Sequence, residues 1–230
     1  MPPDTEGLEP DAVSHPTAMK VTVFGATGGV GRFVVHHLLA DGHEVTAFVR
    51  SPGKMGDQQY AVEVVEAELS DTDAVARAVD GADAVITAYG PPIDPFLSDT
   101  PLTDGTRTIV KAMHAADVRR LVSLVTVSVP DPRDRPRLLD RLVPIGIGVL
   151  IPGALAEVQG IHEAVTTSDL DWTVARMFAP IDVPGGNPIR SGFLGVDPIG
   201  VEMARADVAR FMVDQLTSTA YLHASPAISN

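Results

Sequence analysis

The chain has 230 residues, 45% hydrophobic and 20% charged, with 17 basic and 30 acidic side chains and a formal net charge of -13. The apolar share supplies a buried core, while the acidic balance opposes association with nucleic-acid phosphates or anionic lipid. The absence of cysteine removes disulfides, thiolate metal sites and cysteine nucleophiles together.

Residues 1–18 carry four prolines, no lysine or arginine and no apolar run, so they read as a flexible tail rather than a signal peptide. Lys20–Phe24 is a short β-branched strand ending at a glycine cluster, and Gly31–Ala40 shows helical apolar spacing that closes near Gly42. Strands follow at Glu44–Val49 and Val62–Glu66, a helix at Thr72–Val79, a strand at Ala84–Ala88, a helix at Thr106–Ala116 and a strand at Leu121–Val127. Strands that alternate with helices and are apolar on both faces predict an α/β, Rossmann-type doubly wound parallel sheet with helices on each side. Beyond it, Val129–Gly153 is rich in proline and arginine and then apolar, which makes it a candidate wall or lid over the strand ends, or else a dimer contact or surface loop. Leu155–Ser168 reads as a helix, Trp172–Met177 as a strand, Arg205–Leu216 as a helix and Ala220–His223 as a last strand. The longest apolar stretch, Leu142–Leu155, is broken by two prolines and three glycines and is too short to span a bilayer. A cytoplasmic protein without membrane contact is expected.

The glycine cluster carries the chemistry. Gly25, Gly28 and Gly31 stand as G-x-x-G-x-x-G between a strand and a helix. Gly25 permits the tight exit, Gly28 or Gly29 lets backbone approach a diphosphate, and Gly31 lets the helix pack on the sheet. The free amides around Thr27 and Val30 and the helix dipole then face an anion. A P-loop is excluded because Val30 stands where that motif needs its second glycine, and no lysine follows it. After the second strand, where dinucleotide sites usually place an acid for the ribose hydroxyls, the chain has Arg50, Ser51 and Lys54. Two cations and a hydroxyl suit a 2′-phosphate, so NADP(H) is expected in preference to NAD(H). One charge-assisted bond is worth about 1.5–3 kcal/mol, or about 10- to 100-fold.

The segments FGATGGVGR, FVRSPGK, VVEAELSDT and GADAVITAYG resemble the short, atypical members of the short-chain dehydrogenase/reductase superfamily. Within it they are similar to the NAD(P)H-binding group that contains flavin reductase/biliverdin-IXβ reductase and NmrA-like proteins. The similarity continues through GTRTIVKAMHAADVRRLV, LDWTVAR and RADVARFMVDQL, and covers about residues 19–225. It implies a cofactor-binding core over residues 19–128, with residues 129–230 supplying substrate-region insertions and completing the same domain. By the same resemblance Glu68 and Leu69 flank the adenine, and Ala88, Tyr89 and Gly90 lie beside the diphosphate and ribose. Thr126 stands close to the nicotinamide, Met177, Phe178, Ala179, Pro180 and Ile181 pack on its face, and His162 projects into the pocket.

The Tyr-x-x-x-Lys pair of typical relatives is missing, because Val64, Ile93 and Ser225 stand four residues after Tyr60, Tyr89 and Tyr221. Protons would come from water, His162 or Thr126, or hydride would pass to an acceptor needing little proton help, such as a flavin or quinone. His162 is equally readable as a structural histidine, and Thr126 with Ser128 as hydroxyls that satisfy backbone. Arg133, Arg135, Arg137 and Arg141, interleaved with Asp131, Asp134 and Asp140, read as a solvated, self-paired face. No motif for a metal site is present. The expectation is an NADPH-dependent reductase acting on a small aromatic or conjugated acceptor, monomeric or homodimeric. The rivals are a non-catalytic NADP(H) sensor and a non-redox cyclase, dehydratase or epimerase on the same shell.

Overall fold

A computed structural model describes residues 17–91, 99–135 and 151–230. The expected tail, apart from its last two residues, and most of the Val129–Gly153 stretch lie outside them. Apolar β-branched runs form β1 (Lys20–Phe24), β2 (Glu44–Val49), β3 (Glu63–Glu66), β4 (Ala84–Thr87), β5 (Arg120–Thr126) and β6 (Asp171–Met177). Four short strands follow: β7 (Ala179–Ile181), β8 (Arg190–Gly192), β9 (Glu202–Ala204) and β10 (Ala227–Ser229). The helices are α1 (Gly31–Ala40), α2 (Thr72–Val79), α3 (Pro101–Ala115), α4 (Pro152–Thr166) and α5 (Arg205–Asp214). Among the described residues the main sheet has eight strands in the order β3-β2-β1-β4-β5-β6-β10-β8, and β7 pairs with β9 separately. Pairing is parallel except between β10 and β8. This is the doubly wound α/β fold that the alternation predicts.

Two apolar layers cover the sheet. On one face Val34, Val35 and Leu38 of α1 pack with Val208, Phe211 and Met212 of α5 against Val23, Ile86 and Leu124. On the other, Val75 and Val79 of α2, Ile109 and Met113 of α3 and Ile161 and Val165 of α4 pack on Val85, Leu121 and Val174. A strand between two such layers has no solvated face, which is why these strands read as continuous apolar runs.

Three sequence expectations are corrected. The last strand is Ala227–Ser229; Ala220–His223 is mostly turn, and the chain makes only a single bridge to β6, from Ala224 to Thr173. Helix α3 begins at Pro101, five residues before the periodicity shows it, because its start is capped from another helix. Asp131 and Asp134 turn inward rather than forming a solvated face. Arg176, with none of its side chain exposed, donates to both Asp134 carboxylate oxygens at 2.7 and 2.8 Å, and to the carbonyls of Val129 and Ser225. Asp134 also accepts from the Asp131 and Leu194 amides, and Asp131 from the Ser225 amide. The network fastens the segment leaving β5 to β6, to β10's approach and to the loop after β8. Burial pushes the Asp134 carboxyl up, but the hydrogen bonds and charge of Arg176 hold it below the usual carboxylate range.

Candidate functional site

A cleft of about 950 Å³ opens along the carboxyl ends of β1, β2, β4 and β5, the edge where doubly wound sheets receive ligands. Its floor at β1 is the glycine turn. Gly25 holds φ +86°, and a Cβ there would lie 3.0 Å from the Ala88 carbonyl, so only glycine leaves the strand this way without strain. A Cβ at Gly31 would stand 2.0 Å from the Gly25 carbonyl oxygen, which fixes how closely α1 meets the turn. The Gly28 amide closes the turn onto that oxygen at 2.9 Å. Helix α1 then starts with no side-chain cap and no acid in its first turn, whereas Asp71 caps α2 through the Ala74 amide at 2.9 Å. An uncapped helix start behind a glycine turn is an anion cradle. These residues fit a dinucleotide diphosphate.

The cleft wall brings together Gly25, Thr27, Gly28, Gly29 and Val30 with Arg50, Glu68 and Leu69, and with Ala88, Tyr89, Gly90 and Thr126. Arg50 stands at the exposed rim, 3.9 Å from the Glu68 carboxylate. Ser51 and Lys54 are also exposed, Lys54 on a 3-10 segment Pro52–Tyr60, and neither forms part of the wall. Gly31 lies beneath the turn. At the far end Leu124, Val125 and Met177 face Leu102, Val158 and Ile161, an apolar chamber with Thr126 at its edge. Thr126 Oγ1 and Ser128 Oγ share a hydrogen bond of 2.6 Å, so Ser128 meets the cleft through Thr126.

Other expected residues are placed elsewhere. Phe178, Pro180 and Ile181 do not line the cleft; Ala179–Ile181 form β7 and pair with β9. His162 does not reach it either. On α4 the inner stripe is Ala154, Glu157, Val158, Ile161 and Val165, and one residue past Ile161 is a turn of about 100°. The imidazole Nε2 therefore meets Ser225 Oγ at 3.0 Å. Burial, then the charge of Arg176, lowers its pKa, so it is held neutral. Tyr89 hydroxyl shares a bond of 2.9 Å with Thr106 Oγ1, and burial raises its pKa. That phenol is hard to ionise, the reverse of what an acid–base tyrosine requires.

Glu157 and Arg205, both in the wall, escaped the sequence reading. Glu157 is 1% exposed and accepts from the Leu102 and Thr103 amides at 2.8 Å each and from the Thr103 hydroxyl at 2.6 Å. It is the missing cap of α3. The approach that allows this needs Gly160, where a Cβ would lie 2.3 Å from Thr103 Oγ1. A glutamate on an apolar helical stripe was the available signal. The other residue, Arg205 at the start of α5, carries none in its spacing.

Comparison with known proteins agrees with this geometry. The pattern of the family described as NAD(P)H-binding matches residues 25–219. The chain is 33% identical over 187 residues to a 3-diazoavenalumate denitrifying reductase from a Streptomyces species, covering 76% of this chain and 60% of that protein. It is 27% identical over 205 residues to the protein YwnB of Bacillus subtilis, covering 86% of this chain and 92% of YwnB. The chain thus spans about 60% of the length of the Streptomyces reductase. In fold it matches a short-chain dehydrogenase/reductase from Veillonella parvula, solved in complex with NADP. The TM-score is 0.74 at 17% identity over 92% of this chain and 94% of that one.

Proposed function

Since the chain belongs to the NAD(P)H-binding family, we propose that it is an NADPH-dependent reductase passing hydride to a small aromatic or conjugated acceptor. The observation that carries this reading is the single cleft that joins an uncapped glycine turn, through Arg50, to an apolar chamber edged by Thr126. The reductase named among its relatives supports the same reaction class.

NADPH supplies the hydride when bound. The amides of the glycine turn and of the start of α1 hold the diphosphate. Arg50, held only by a long contact with Glu68, would hold the 2′-phosphate, since a guanidinium fork suits phosphate oxygens. Leu124, Val125 and Met177 would hold the nicotinamide, and Leu102, Val158 and Ile161 would exclude water from the acceptor. The Thr126–Ser128 hydroxyl pair orients a carbonyl or carboxamide: Ser128 donating to Thr126 leaves the Thr126 proton free to point into the chamber. With Tyr89 locked by Thr106 and His162 turned to Ser225, proton delivery falls to that pair or to water, which favours acceptors such as quinones and flavins that need little proton help.

Titration of the protein with NADPH and NADH tests the cofactor assignment, with a preference of about 10- to 100-fold expected and mostly erased by Arg50→Ala. Equal affinities in the unaltered protein discard it. Loss of NADPH absorbance with a panel of flavins, quinones and aromatic ketones tests the reaction; tight NADPH binding with universal silence gives the sensing role instead.

A further inference from the structure

The glycine turn has a second neighbour besides its own helix. Arg205, the first residue of α5, lies across it: a Cβ built at Gly29 would meet Arg205 Nη1 at 2.7 Å, Cζ at 3.2 Å and Cδ at 3.5 Å. Its three nearest heavy atoms would all belong to that one side chain. Gly29 has no positive φ, so its backbone does not require glycine, and the space beside it is taken by the guanidinium. Arg205 also forms part of the cleft wall. Its Nε donates to Asp182 Oδ1 at 2.8 Å, a carboxylate that is itself 72% exposed. Asp182 is shared with Arg32, whose Nη2 stands 3.8 Å away. Among the described residues no acceptor faces the two Nη groups of Arg205, so four N–H bonds remain for an anion.

The fold brings this cation to the turn from 176 positions along the chain, because α5 packs beside α1 on one face of the sheet. Helix α5 starts beside the last turn of α1, where His37 Nε2 meets the Ala206 carbonyl at 3.0 Å, and the side chain of its first residue reaches back to the turn. In a chain of formal charge -13, a dianionic ligand entering the cleft meets a repulsive field that the helix dipole alone opposes weakly. A guanidinium fork beside the turn offsets that field at the point where the ligand's charge is densest.

We propose that Arg205 is a diphosphate clamp, a cofactor-binding residue that closes over the phosphate bridge opposite the amides of α1. The assignment rests on the dinucleotide reading above, and it differs in specificity from Arg50. A clamp on the bridge serves NADPH and NADH alike, whereas Arg50 reads only the 2′-phosphate. Asp182 is its positioning partner, setting the fork before the ligand arrives.

Binding measured by calorimetry separates these roles without reference to turnover. Arg205→Gln is expected to weaken NADPH, NADH and ADP-ribose by a common factor of about ten to a hundred. Adenosine 2′-monophosphate, which lacks the bridge, should bind as before, and the thermal midpoint should stay put. The salt dependence of NADPH binding should become shallower in the variant, with one ionic contact gone. Arg205→Lys keeps the charge without the fork and should fall between. Should the glutamine variant fail to fold, the lysine variant decides: a loss shared by NADPH and NADH supports the clamp. Unchanged dinucleotide affinity in a folded variant, or a loss confined to NADPH, overturns it. If the unaltered protein binds no nicotinamide dinucleotide, the cofactor reading falls, a result distinct from normal binding by the variants, which removes only the clamp.

Discussion

Replacing Asp134 with alanine removes the only carboxylate within hydrogen-bond reach of a guanidinium that has no exposed side-chain surface, among the described residues. Arg176 would keep the carbonyls of Val129 and Ser225, but its positive charge would stay buried without a counter-charge. The Asp131 and Leu194 amides would lose their acceptor as well. Breaking a buried pair from one side costs about 3–5 kcal/mol, a large share of the about 5–15 kcal/mol that holds a domain together. Urea unfolding of Asp134→Ala should show that loss as a lower midpoint at unchanged slope. The double variant Asp134→Leu with Arg176→Met should recover to within about 1–2 kcal/mol, because apolar replacement of both partners removes the stranded charge. Acid dependence provides a second check. The Asp134 pKa is depressed on folding, so the unfolded chain takes up the proton first, near its ordinary value of about 3.9. The pair's contribution is therefore complete above that pH and disappears as pH falls through the lower folded value. The gap between wild type and Asp134→Ala should narrow below about pH 4. A single variant within about 1 kcal/mol of wild type at neutral pH would show that water already reaches the pair, and the argument from burial would be wrong.

Glu157→Gln offers one acceptor oxygen where two served three donors, so the unfolding free energy should fall by about 1–3 kcal/mol, and hydrogen exchange should quicken at the Leu102 and Thr103 amides; unaltered protection there would remove Glu157 as the cap of α3. Glu68→Gln frees Arg50 from an exposed pair and should raise NADPH affinity up to about fivefold without touching NADH; a parallel rise in both would mean that Glu68 acts on the adenine side instead. His162 has a pKa depressed by burial and by Arg176. The neutral imidazole thus contributes stability above its ordinary value of about 6.5, and that contribution drains away as pH drops through the folded value. His162→Gln, which keeps a partner for Ser225, should flatten the stability profile over that interval and leave turnover unchanged; a fall in rate would return the imidazole to the reaction.

The sheet was legible because its strands are short apolar runs bounded by turn residues, and the glycine turn because three glycines sit where a strand meets a helix. What escaped depends on contacts between distant segments. The start of α3 is hidden because Pro101, Leu102 and Thr103 carry no cap of their own; the carboxylate arrives from Glu157, 54 positions from Thr103. Asp134 looked solvated beside Arg133 and Arg135, and only the arrival of Arg176 from β6 explains why it turns inward. His162 was misplaced by a single helical step, since a resemblance fixes position in a helix more easily than it fixes the face. The three-residue strands β7, β8 and β9 are too short for alternation to show, and β7 and β9 hold together mainly through each other.

These distant contacts share a direction: the second half of the chain returns to finish what the first half begins. β10 enters the sheet beside β6, α5 packs next to α1, and Glu157 on α4 shapes the wall that α3 presents to the cleft. The division into a cofactor core and a substrate region is therefore one of sequence more than of chemistry. If Arg205 closes the diphosphate site, cofactor affinity depends on the seating of α5, and that helix is joined through β7 and β9 to β6, the strand that carries Arg176. Loosening the Asp134–Arg176 pair should then weaken NADPH binding as well as fold stability, although neither residue lines the cleft. A variant such as Asp134→Asn, still folded at low temperature, would separate the two ideas: retained affinity for NADPH would mean that the two halves are energetically independent.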